Sequence, residues 1–86
     1  MIEVEKHDAD TFAVTVEESG DSSRHEVTVD DDYHQELTDG QIDKEELVRR
    51  SFEFLLEREP KESILSSFNL RVISRYFPSY EDEIRL

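Results

Sequence analysis

A change of hydrophobic period near residue 30 constrains this chain more than any other feature. Up to residue 29 the apolar side chains recur at every second position. Ile2 and Val4 alternate with Glu3 and Glu5, and Val27 and Val29 alternate with Glu26 and Thr28. Between them, Phe12, Val14 and Val16 alternate with Thr11, Ala13, Thr15 and Glu17. Period-two alternation gives a strand one apolar and one polar face. The intervening segments, His7-Asp8-Ala9-Asp10 and Ser19-Gly20-Asp21-Ser22, are rich in turn formers. The pattern predicts three short strands in an antiparallel meander with one buried face.

Beyond residue 30 the period becomes helical. Asp30 is placed to cap a short helix over 31–38, in which Tyr33 and Leu37 share a face, and Asp39-Gly40 supplies the stop. Asp43 and Glu46 have the spacing of a capping box, and Ile42 and Leu47 occupy the positions of a hydrophobic staple. Leu47, Val48, Phe52, Leu55 and Leu56 then follow at helical spacing until Pro60, which predicts a helix over about 43–59 that covers the sheet. A second apolar cluster, Ile64 to Phe77, reads as two short helices hinged at Asn69 and stopped by Pro78, with a strand at Val72 and Ile73 as the alternative. Ser79 and Asp82 suit a last turn with Tyr80 and Ile84 packing back, and the tail 81–86 is free to fray. The expected fold is α+β: a three-stranded meander followed by a helical C-terminal half on one face of the sheet, in a single small domain over 1–86.

Charge is divided unevenly along this pattern. Residues 1–46 carry 16 Asp/Glu against 3 Lys/Arg, whereas residues 47–86 carry 7 against 7, so the formal charge of -13 belongs to the strand-forming half. An acidic half repels phosphate, so no nucleic acid is expected there, and a basic protein partner is the complementary expectation. Lys6, Lys44 and Lys61 are the only lysines. A low-lysine, acid-rich surface also suits a high-salt interior, where screening lets like charges crowd.

No chemical motif stands out. The absence of Cys removes disulfides, thiolate metal sites and a cysteine nucleophile. No stretch approaches the ~20 apolar residues of a membrane span, and residues 1–20 hold no apolar run of signal-peptide length. The expectation is a cytoplasmic protein without membrane attachment. His7, His25 and His34 lie among carboxylates, a donor set suited to a divalent ion, but their spacing matches no metal signature. Asp30, Asp31 and Asp32 lack the glycine and spacing of a calcium loop. With two glycines in total and no nucleophile elbow or phosphate-cradling loop, neither a catalytic role nor a cofactor is assigned.

Two segments resemble DNA-binding motifs. Residues 25–59, with a short strand, a helix, a turn and a capped helix containing Leu47-Val48-Arg49-Arg50, resemble a ribbon-helix-helix segment. The resemblance implies a dimeric regulator or antitoxin that pairs the strand across a two-fold axis and reads the major groove with its outward side chains. Those would be Arg24, Glu26 and Thr28 here, and Glu26 with the following aspartates repels phosphate. Residues 64–77 resemble a helix-turn-helix, with Arg71 and Arg75 one turn apart and Asn69 in place of the turn glycine.

The expectation that best fits these features is a non-catalytic interaction or regulatory module. Its candidate partner-binding groups are Glu3, Glu5, Glu17 and Glu26 on the solvent face of the sheet, the Asp30-Asp31-Asp32 run, and the aromatics Phe54, Tyr76 and Tyr80. Phe54 falls off the main helical stripe and the two tyrosines flank Pro78, where an apolar patch would serve a partner or a homodimer.

Overall fold

The computed structural model describes residues 1–85 and is α+β. Strands β1 (Ile2–Lys6), β2 (Thr11–Glu18) and β3 (Asp21–Thr28) form the expected antiparallel meander. Ser19 and Gly20 both have positive φ, 54° and 79°, as a two-residue type I′ hairpin requires, and Glu18 pairs directly with Asp21. So tight a turn lets β3 start at Asp21, five residues before the alternation at Glu26 begins. Its first half, Ser22-Ser23-Arg24, carries no apolar signal. At the other hairpin Asp8 accepts hydrogen bonds from the amides of Asp10 and Thr11, both at 3.0 Å, which closes the turn.

Helices α1 (Asp31–Thr38) and α2 (Lys44–Leu56) follow. Asp43 caps α2 by accepting from the Glu46 amide at 2.8 Å. The Glu46 side chain does not reach back as a capping box would and pairs with Arg50 at 3.0 Å. Asp30 holds the N-cap position of α1 without capping it, because its carboxylate turns to Arg71 Nε at 3.1 Å. Asp39, in the left-handed region at φ 54°, ends α1 as expected. Helix α2 stops at Leu56, three residues before its expected end. Its last turn loosens ahead of Pro60, which disfavours helical backbone at the residue before it.

The second apolar cluster departs from its expected form. A 3₁₀ turn at Lys61–Ser63 leads to a fourth strand, β4 (Ser67–Asn69), and a 3₁₀ turn at Leu70–Val72 runs into α3 (Ile73–Tyr76). β4 pairs in parallel with β3, so the sheet order is β1-β2-β3-β4. Asn69 is a hinge, but between strand and helix: its side chain accepts from the Arg71 amide at 2.9 Å. No pair of helices crosses in 64–77, so the helix-turn-helix outline is not present. α4 (Tyr80–Ile84) takes in most of the tail expected to fray, and Leu86 lies outside the described residues.

All these elements share one apolar core. Phe12, Val14, Val16 and Val27 face inward from the sheet, and Leu47, Val48, Phe52 and Leu55 of α2 cover them. Tyr33, Leu37, Leu70 and Tyr80 close its flanks. No helix among the described residues is long and apolar enough to cross a membrane.

Candidate functional site

Strand register places the four candidate glutamates on one face. Glu3 stands opposite Thr15, and Glu5 stands opposite Ala13, whose other neighbour is Glu26. Glu17 pairs with Ser22 on the same side. All four are exposed, whereas their sequence neighbours Val4, Val16 and Val27 turn inward. Between the carboxylates lie Thr11, Ala13, Thr15, Ser22, Thr28 and Ser67, all small, and one long side chain, Arg24. Among the described residues, Glu3, Glu17 and Glu26 have no ion-pair partner, and Glu5 meets only His7, at 3.5 Å.

Three cations lie on or beside this face, one of them the Met1 ammonium, which donates to the Glu17 carbonyl at 2.8 Å. Arg24 is exposed opposite Thr15. Arg49 reaches over the β1 edge from α2 and donates from Nη1 to the Ile2 carbonyl at 2.8 Å. Together with Glu3, Glu5, Ala13 and Thr15 the two arginines line a shallow polar depression of about 470 Å³. Among the arginines of 47–86 that folding could bring against the acidic half, Arg49 does so across the β1 edge.

The Asp30–Asp32 run is largely consumed inside the fold. Asp30 pairs with Arg71, and Asp31 accepts from Lys44 Nζ at 2.5 Å. The same ammonium donates to Asp10 at 2.6 Å, which ties the first hairpin to the start of α1. Only Asp32 remains without a partner among the described residues. Lys61, its side chain only 6% exposed, similarly bridges Glu62 and Asp21, and Arg85 lies 3.8 Å from Glu36. Cations from the balanced half thus neutralise part of the acidic half, and Arg49 shares the depression with Glu3 and Glu5 without an ion pair to either among the described residues.

The three candidate aromatics separate. Phe54 and Tyr80 are core residues, 6% and 0% exposed, and pack edge to face with centroids 5.2 Å apart. Phe54 leaves the main stripe because α2 is buried on two sides, by the sheet and by α3 with α4. Neither residue is available to a partner. Tyr76 is 67% exposed and stands with Leu65, 47% exposed, at the rim of an apolar groove of about 360 Å³ on the inner side of the β4 edge. An apolar surface at Tyr76 was expected; most of its remaining lining comes from the dense apolar residues of 64–77.

The histidines do not converge. His25 is buried, its Nδ1 2.8 Å from the Leu65 carbonyl and its Nε2 2.9 Å from Ser23 Oγ. His34 Nε2 is 2.6 Å from the Ile42 carbonyl. No group of three or more His, Cys, Asp or Glu side chains placed to hold a metal occurs among the described residues. β3 lies between β2 and β4, so its strand edge at 26–28 is occupied within the chain, where the ribbon-helix-helix resemblance needs one open to a second copy.

Comparisons of this chain with protein-family models, with curated proteins and with solved structures find no match.

Proposed function

We propose that the chain is a non-catalytic interaction module that captures a basic protein partner on the outer face of its sheet. One observation carries the reading: Glu3, Glu5, Glu17 and Glu26 share one exposed face, and Glu3, Glu17 and Glu26 form no ion pair among the described residues. Four carboxylates on adjacent strands outnumber Arg24 and Arg49 beside them and leave a local negative potential, which speeds encounter with a positive surface.

Purifying basic proteins that bind the intact chain at low salt, then measuring their association rates, tests the reading. Association slows with rising ionic strength and slows again when Glu3, Glu5 and Glu26 become glutamines. A partner whose rate ignores both salt and those amides removes it.

A further inference from the structure

The groove beside β4 has features of a built site. Leu55 and Ile73 form its floor, Phe68 and Phe77 its sides, and Leu65 and Tyr76 its open rim. The Leu65 rim is fixed from beneath, since the buried His25 ring holds the Leu65 carbonyl and the Glu26 amide donates to the Ser66 carbonyl at 2.8 Å. A rim ordered before binding lowers the entropy cost of docking. At about 360 Å³ the groove sits at the small end of the ~300–1,000 Å³ range of binding pockets, which suits one or two bulky side chains.

Charge decides the occupant. Glu59 lines the groove half-buried, and no cation among the described residues pairs with it. The adjacent Arg58 is committed elsewhere. Its guanidinium lies 3.7 Å over the Phe54 ring and bonds Glu83 at 2.7 Å. A second copy of this chain would bring another charge of -13 and another Glu59 to the contact, a like-charge arrangement that opposes association. A basic segment is attracted by the same groups.

We infer that the groove docks a short peptide segment of a basic protein, in which one or two bulky aliphatic or aromatic side chains adjoin a Lys or Arg that meets Glu59. The inference rests on the proposed capture of a basic partner and adds a second contact, on the opposite side of the sheet, that selects for sequence where the acidic face selects for charge.

A random-peptide library displayed on phage and selected against the full chain tests it. The expected winners join a bulky apolar residue to a Lys or Arg. Their synthetic forms lose affinity by about tenfold or more in Leu65→Ser/Tyr76→Ser and by about threefold in Glu59→Gln. Leu65 and Tyr76 are exposed, so these variants keep the fold, and circular dichroism checks this. Peptides that bind these variants as tightly as the parent overturn the groove, as does a selection that enriches no such sequence. The face variant Glu3→Gln/Glu5→Gln/Glu26→Gln separates the two readings. If it alone loses peptide binding, the groove fails and the acidic face stands; if only the groove variants lose peptide binding, the groove stands, and the acidic face stands or falls separately by the salt dependence of intact basic partners. Sedimentation that finds a dimer of the free chain, dispersed by Tyr76→Ser, assigns the groove to a second copy and overturns the inference.

Discussion

The Tyr80 hydroxyl lies 2.6 Å from Ser51 Oγ in the fully buried contact between α4 and α2. Ser51 donates its own proton to the Leu47 carbonyl at 2.8 Å, so Tyr80 is the donor of the pair. Burial pushes the phenol well above its ordinary value of 10.0, which keeps that proton in place.

The two truncations therefore differ in cost. Tyr80→Phe removes one hydrogen bond and leaves Ser51 bonded to Leu47, a loss of about 0.5–1.5 kcal/mol. Ser51→Ala strands a buried hydroxyl and costs about 1–3 kcal/mol. The double variant is no less stable than Ser51→Ala alone, because no polar group is then left unpartnered. Urea melts of the four proteins read all three values.

Lys44 bridges Asp10 and Asp31, and its replacement by methionine changes the response to acid. The Lys44 hydrogen bond holds Asp31 below its ordinary value of 3.8. A depressed folded value gives stability that is complete above 3.8 and lost as the pH falls through the folded value. Lys44 itself is raised above 10.5: burial lowers it, but the hydrogen bonds it donates to Asp10 and Asp31 outweigh burial. That contribution is complete below 10.5 and lost as the pH rises through the folded value. Lys44→Met melts at a lower temperature at neutral pH, and the gap to the parent closes at both extremes. Asp8, held down by the Asp10 amide, and Glu83, held down by Ser79, keep an acid limb in the variant. A gap independent of pH contradicts the bridge.

Salt raises the melting temperature. At a charge of -13 the exposed carboxylates repel one another, and going from about 0.01 M to about 1 M salt cuts the screening length from ~30 Å to ~3 Å. The surface ion pairs weaken as well, but each contributes only about 0–1 kcal/mol. Glu3→Gln/Glu5→Gln/Glu26→Gln melts higher than the parent at low salt and rises less with added salt. A melting temperature that falls with salt shows instead that the pairs at Lys44, Lys61 and Arg71 outweigh the repulsion.

What was legible in the sequence follows the range of each interaction. The meander, both helix caps' positions and the acidic outer face are consequences of alternation and local turn chemistry, so Glu3, Glu5, Glu17 and Glu26 were readable as one surface. β4 was not. Ser67-Phe68-Asn69 has one apolar residue, and it is a strand because Glu26, Val27 and Thr28 offer it an edge some 40 positions earlier in the chain. The fates of Asp30 and Asp31 were hidden for the same reason: Arg71 and Lys44 reach them only after the helices fold back. Phe54 and Tyr80 looked surplus to the sheet-facing stripe because nothing local announces a second packing layer from α3 and α4.

The most direct measurement of the central claim is a map of amide chemical shifts as a lysine-rich peptide is titrated into the labelled chain. The account predicts that the largest shifts fall on outer-face positions, Glu3, Glu5, Ala13, Thr15 and Glu26, and that Glu3→Gln/Glu5→Gln/Glu26→Gln abolishes them. Shifts spread evenly over Glu36, Glu53, Asp82 and the other exposed acids contradict a capture face on the sheet.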